Sequence, residues 1–340
     1  MADQLPAPDV SVRNNDLSNA PGLPLILVVR NERPFLPDFL GHYRALGVKR
    51  FFILDDASND GTPDYLLEQP DVCLLSSTSR YGDIPPAERR PGIVRVGGDL
   101  RMIHVWRTEL MDRFCMNQWA LQCDIDEFVL LPDGKTLNDV ISRLEAEGAN
   151  GAWAGMIDLY PRDIADLAAY PASGFTWPAA EWFFDGVRHF SLRPNKSPRH
   201  RYVGVRHRLD VAYAGKEEIG LKNRLKLRLL GARKAPSGTL VKPLIQKWRP
   251  GQAFYSSHRT TLALSHRILL PLLHYRYTPA MLRKLEWAPQ TGGYSKGNKD
   301  YLRIETMLSK MREENASFLG PHSVPLTGWS SLEKTGNAVW

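Results

Sequence analysis

Seven consecutive apolar positions, Leu23-Pro24-Leu25-Ile26-Leu27-Val28-Val29, constrain this chain more than any other feature. A run of strand length with no polar face predicts a strand buried on both sides. Such a strand needs helices above and below it, which is the α/β layout. The following residues supply them. Pro34 and Pro37 suit a first helical turn, where a missing N–H costs little. Phe35, Phe39, Tyr43 and Leu46 follow at helical spacing, and Gly47 suits the C-cap. Arg50–Leu54 reads as a second strand, Ser58–Thr62 as capping residues for a helix through Leu67, and Val72–Leu75 as a third strand. Strands alternating with helices predict parallel βαβ units in a doubly wound, mostly parallel sheet flanked by helices. Ligands bind such sheets beyond the carboxyl ends of the strands, where the polar loops Arg30–Arg33 and Asp55–Thr62 lie.

Further along, 99–119 reads as a helix and Trp119–Cys123 as a strand running into Asp124-Ile125-Asp126-Glu127-Phe128. A helix over 137–147 and a strand over 152–159 follow. Past Pro161 the pattern becomes irregular, and helical spacing returns at 278–288 and 300–313. These shifts divide the chain into a flexible tail (1–22), a first half (23–160), a second half of the same domain (161–315) and a C-terminal tail (316–340). With 340 residues, 43% of them hydrophobic, the chain can bury a full core. No stretch reaches the ~20 apolar residues of a spanning helix. The N-terminus lacks a signal-peptide pattern, and three cysteines without a Cys-x-x-Cys argue against disulfides or a zinc knuckle. A cytoplasmic setting is the expectation.

Two acidic clusters carry candidate chemistry. Alternation at a strand end puts Asp124 and Asp126 on one side, where converging carboxylates repel unless a cation joins them. Hard oxygen ligands suit Mg²⁺ or Mn²⁺. The alternative is a solvated acidic turn. Asp55 and Asp56 could accept hydrogen bonds from a nucleobase or ribose, the alternative being a helix cap with an Asx turn. His274 ends the apolar run Leu272-Leu273 and is the candidate third metal ligand, with His258 as its rival.

Val28-Val29-Arg30-Asn31-Glu32, Ile53-Leu54-Asp55-Asp56-Ala57-Ser58-Asn59-Asp60-Gly61-Thr62 and Asp124-Ile125-Asp126-Glu127-Phe128 together resemble the family 2-like glycosyltransferases of GT-A fold, in the branch whose Asp-x-Asp precedes Glu-Phe. The likeness is specific over about 23–160. It continues more loosely through Gly204-Val205-Arg206, Lys242-Pro243-Leu244, Ser257-His258-Arg259 and Leu273-His274-Tyr275. The resemblance implies a GT-A-like sheet with an acceptor-binding C-terminal half, a nucleotide-sugar donor, usually UDP-linked, and a divalent metal on the diphosphate. Carried over by position, Val29, Arg30, Asn31, Glu32, Asp55, Asp56, Arg101, Asp124 and Ile125 would contact the nucleotide. Asp124, Asp126 and His274 would hold Mn²⁺ or Mg²⁺. Ala57 stands where many members have glycine, which raises a question of backbone strain if the position needs positive φ. The Gln-x-x-Arg-Trp motif of processive synthases is absent, so single-sugar transfer is expected.

An inverting transfer needs a carboxylate base. Asp185, in the aromatic setting Glu181-Trp182-Phe183-Phe184-Asp185, is the first candidate, with Asp158 and Glu181 as alternatives. Between Arg188 and Lys234 fourteen Lys/Arg face three acids, a balance of +11 within a net +7, so the rest of the chain is −4. That segment, and above all Lys222–Leu230, suits an anionic membrane surface or a lipid-linked acceptor, or else lines a diphosphate pocket with Arg206 and Lys242. The alternative is a solvated basic loop. Gly292–Gly297 reads as a loop that could order over the donor. Two rival functions stay open: a metal-dependent nucleotidyltransferase, weakened by the lack of glycine in Arg30–Pro34, and a nucleic-acid-binding protein using the basic segment, which leaves the acidic loops unexplained.

Overall fold

The computed structural model describes residues 9–86, 100–169, 181–194, 196–201, 203–215, 240–256, 258–291 and 299–340. Its strands are β1 (Val10–Val12), β2 (Leu23–Val29), β3 (Val48–Asp55), β4 (Val72–Ser77), β5 (Trp119–Gln122), β6 (Glu127–Val129), β7 (Gly151–Asp158) and β8 (Phe183–Asp185). Then follow β9 (Phe190–Arg193), β10 (Lys196–His200), β11 (Val241–Lys247), β12 (Phe254–Ser256), β13 (Arg259–Thr260), β14 (Ser265–His274) and β15 (Ser323–Pro325). Nine of these form one sheet in the order β1-β4-β3-β2-β5-β11-β7-β14-β6.

The expected βαβ units are present. β2 pairs in parallel with β3 and β5, and β3 with β4. Alternation sorts their side chains. Leu25, Leu27, Phe51, Ile53 and Leu74 pack with Phe39, Leu40 and Tyr43 of helix Leu36–Ala45 and with Val140 and Leu144 of helix Leu137–Ala146. Ile26, Phe52, Leu54 and Cys73 face the other way, onto Trp106, Leu110 and Phe114 of helix Met102–Phe114. A strand buried on both faces thus has no polar position to spare, and each such side chain contributes roughly 1.5–3 kcal/mol by leaving water.

The expected α/β sheet flanked by helices is present with six of its nine strands running one way, and the antiparallel pairs β1–β4, β5–β11, β11–β7 and β14–β6 make it mixed. Two expectations are corrected. The region past Pro161 is not simply irregular: it inserts β11 between β5 and β7 and places β14 beside β7. The described parts of the terminal segments, from residue 9 and from residue 316, are held by the fold. Of 1–22, β1 pairs with β4, Asn14 bonds the backbone of Val72 and Leu74, and Arg50 donates to the carbonyls of Leu17, Ser18 and Gly22. Of 316–340, β15 pairs with β8, Val339 bridges to Leu269, and buried Asn337 bonds the backbone of Val187 and His189.

A third cluster lies past the ends of β7 and β14. Tyr160 and Tyr277 pack there with Val205 and Leu209 of helix Val205–Tyr213, Met281 and Leu285 of helix Pro279–Thr291, and Ile304 and Met307 of helix Lys299–Glu313. Among the described residues no helix is long and apolar enough to cross a membrane.

Candidate functional site

Strand direction gathers the acidic loops on one rim of the sheet. β2, β3, β4, β5, β7 and β14 run one way, while β1, β6 and β11 run the other. The carboxyl ends of the first set therefore meet the amino ends of β6 and β11. Val29 pairs with Asp55 at the ends of β2 and β3, and His274 pairs with Asp158 on one side and Glu127 on the other. Lys242 enters the same rim at the start of β11.

The first two loops are stitched to each other. The N–H groups of Asn31, Glu32 and Arg33 donate to Ser58 Oγ (2.8 Å), Thr62 Oγ1 (3.1 Å) and Asp60 Oδ2 (3.0 Å). Asn59 N–H returns to Asn31 Oδ1 (2.9 Å). Asp60 Oδ1 also takes the Thr62 N–H (3.0 Å), an Asx turn, but the helix it precedes has Gly61 at its N-cap and no side-chain cap bond, so the expected capping by Ser58–Thr62 is not formed, and Asp55 and Asp56 are left at the strand end. Asp56 Oδ2 takes the Tyr81 N–H (3.3 Å) and lies 3.5 Å from Arg30. Asp55 Oδ2 takes the Ser58 N–H (3.1 Å). Among the described residues, the Oδ1 atoms of both are buried with no hydrogen-bond partner. Burial pushes both carboxyls up, Asp56 to about 6. Glu32 is pushed to about 7 by burial, against the pull of Lys284 from helix Pro279–Thr291, with which it pairs.

Ala57 does occupy the left-handed region, at φ 56°, as does Asn31 at φ 55°. Asparagine tolerates that conformation, whereas alanine carries a Cβ penalty. Ala57→Gly is expected to raise stability by about 1 kcal/mol, a Tm gain of about 2 °C or less in a chain of this size, readable by thermal denaturation.

The Asp-x-Asp turn, between β5 and β6, separates its two carboxylates. Asp124 is bonded by Arg107 and Lys242, and its N–H donates to Glu127 Oε2 (2.9 Å). Burial would raise its pKa, but Lys242 and Arg107 outweigh that and hold it well below the usual range. Lys242 also lies 2.5 Å from Glu127, and both side chains are 1% exposed. Asp126 instead faces His274, with Oδ2 3.3 Å from Nε2. His274 Nδ1–H donates to Asp158 Oδ1 (2.5 Å). Burial opposes charge on this imidazole, yet Asp126 and Asp158 together push its pKa to about 9.

Among the described residues no group of three or more His, Cys, Asp or Glu side chains is arranged to hold a metal by itself. Asp126 and His274 Nε2 form a two-donor pair, oxygen and imidazole nitrogen, that suits Mn²⁺ with further oxygens from a diphosphate. Asp124 would join only by exchanging one of its cationic partners. His258, the rival, bonds the Val241 carbonyl (3.1 Å), and burial followed by Lys242 pushes it down to about 3.

No family model and no curated protein matches the chain.

The remaining expected residues fall out as follows. Val29 and Ile125 point into the core, so only their backbone could meet a ligand, and Val29 O already accepts the Asp56 N–H. Arg101 sits at the start of helix Met102–Phe114 and donates to Gly82 O (2.9 Å). Asp158 is buried and gripped by Arg206 through two bonds, and Asp185 is buried against Tyr160 Oη (2.5 Å) and Arg208 (3.1 Å). Neither has the open carboxylate that a base requires. Glu181 is exposed and pairs with Arg162. Lys222–Leu230 and Gly292–Gly297 lie outside the described residues. Sequence reasoning missed Arg107, Tyr81 and Lys284. Arg107 interrupts the apolar face Val105-Trp106-Leu110 while being buried itself, a signal the sequence does contain. Nothing local marks Lys284.

Proposed function

We propose that this chain is a metal-dependent, non-processive glycosyltransferase of GT-A type, taking a UDP-linked sugar as donor and a saccharide or lipid-linked acceptor. One observation carries the reading. The three loops of the family resemblance meet on a single rim, and there two buried carboxylate oxygens, Asp55 Oδ1 and Asp56 Oδ1, have no donor among the described residues. Buried acceptors without partners are costly, and a nucleoside offers the missing N–H and hydroxyl groups. Acidic side chains at a strand end would by themselves repel diphosphate, so the neighbouring cations are equally needed.

In this reading Asp55 and Asp56 orient the base and ribose. Asp126 and His274 hold the cation, which when bound neutralises charge on the departing diphosphate. Arg107 and Lys242 keep Asp124 ionised and fixed. Among the three carboxylates considered as base, Glu181 is the one open to an acceptor, two residues before Phe183, which is paired to Tyr160. The test is calorimetric titration of UDP with Mn²⁺ and then with EDTA. Binding that strengthens with Mn²⁺ in the wild type, and loses that metal-dependent part in Asp126→Ala, supports the reading. Failure of UDP, GDP, dTDP and CMP to bind under either condition sinks it.

A further inference from the structure

The geometry points to Asp158 and Arg206 as positioning residues for His274, fixing its ring so that Nε2 is the nitrogen offered to a divalent cation beside Asp126. This inference rests on the metal reading above. His274 and Asp158 are register partners at the last positions of two parallel strands, β14 and β7, so the backbone itself sets them side by side. The 2.5 Å bond from Nδ1–H to Asp158 holds one ring proton on Nδ1, so the proton a cation displaces is the one on Nε2. Nε2 lies 3.3 Å from Asp126 Oδ2, and once it is deprotonated, oxygen and nitrogen donors stand side by side for a cation. A carboxylate behind an imidazole also makes the free nitrogen a better ligand.

Asp158 is in turn held. Arg206 donates from Nε to Oδ2 (2.9 Å) and from Nη2 to Oδ1 (2.7 Å), a planar fork that lysine cannot reproduce. Arg206 stands one residue into helix Val205–Tyr213, behind Gly204 at φ +98°, where an added Cβ would come within 2.7 Å of the His189 ring. The close helix start packs Gly204 directly on His189. The result is a relay of fixed parts: helix, Arg206, Asp158, His274, cation. It explains why a buried acid on the rim is given to an internal ion pair and withheld from the acceptor side.

The experiment is Mn²⁺ binding to the full chain, followed by the paramagnetic signal of free Mn²⁺, without and with UDP. Wild type should bind, and Asp126→Ala should not. Asp158→Asn, nearly the same size, should weaken Mn²⁺ binding by about 10-fold or more, and Arg206→Lys should weaken it by a smaller factor. Thermal melts in parallel show that the variants are folded. Folded Asp158→Asn that binds Mn²⁺ within about twofold of wild type overturns the positioning role while leaving the metal reading intact. Wild type that binds no Mn²⁺ in either condition overturns both. Should Asp158→Asn fail to fold, nitrogen NMR of His274 in wild type with a diamagnetic divalent cation bound decides: a ring protonated on Nδ1 and coordinated through Nε2 is expected, and coordination through Nδ1, or a proton kept on Nε2, overturns the proposal.

Discussion

Replacing Lys242 with methionine should lower the stability of the fold by about 3–5 kcal/mol, the usual effect of removing one partner of a buried ion pair. Lys242 and Glu127 are each 1% exposed and 2.5 Å apart, and Lys242 also bonds Asp124. Methionine fills a similar volume, so packing is largely kept and the loss is electrostatic. Asp124 keeps Arg107 and remains partly open to water, whereas Glu127 loses its nearest cation inside the protein. Glu127 can escape only by taking up a proton, and burial already pushes its pKa upward. The loss should therefore shrink as pH falls. Denaturant unfolding at neutral and acidic pH measures both effects. Adding Glu127→Gln to the same chain should recover part of the loss, and the double-mutant cycle gives the coupling. A single variant within about 1 kcal/mol of wild type would show that the pair contributes little.

Nucleotide affinity should fall once the pH drops below about 6, the value to which burial raises Asp56. Above it the carboxylate is ionised and can accept from a nucleobase N–H. Below it the proton must be removed first, which weakens binding by up to about tenfold per pH unit. Asp56→Asn should lose about 10–100-fold in UDP affinity, the range for a hydrogen bond to a charged group, and should flatten the acidic limb of the profile. The stability linkage has the opposite sign. The folded state holds this proton more tightly than the unfolded chain, so the contribution is full below about 3.8 and is lost as pH rises through about 6. Titrations of UDP at pH 5 to 8 on both proteins check the prediction. An unchanged profile in Asp56→Asn would remove Asp56 from the donor site.

The parallel half of the sheet was legible because its strands are uninterrupted: Leu23–Val29 has no polar residue to disguise the period. β11 and β14 were not, and proline is the reason. Pro243 sits in a central strand at a register shift between Pro243 and Ile245, and Pro271 sits mid-strand in β14, where its carbonyl accepts from Leu130. Proline in a run normally argues against a central strand, and a bulge is where the exception occurs. Asp55, Asp56, Asp126 and His274 could be named from the sequence because each ends an apolar run. The cage around Asp124 was legible only in part: Lys242 could be named as a pocket cation and Arg107 breaks an apolar helix face, but nothing in the sequence pairs either with Asp124, since they arrive from a helix and a strand. Asp158 and Asp185 show a further limit: sequence marks an acid but not its partner, and both acids are taken by arginines from the same short helix.

The place of β11 has a consequence for synthesis. It fills the gap between β5 and β7, yet β7 ends at Asp158 and β11 starts at Val241, about 80 residues later. At roughly 5–20 residues per second, a ribosome needs about 4–17 s to deliver that strand. Throughout that interval the borders of β5 and β7 that β11 will cover stay raw, each with unpaired N–H and C=O groups that can recruit another chain. Slower translation across this stretch, or a holding chaperone, should therefore raise the yield of native protein, and a chain terminated before Val241 should be recovered as aggregate.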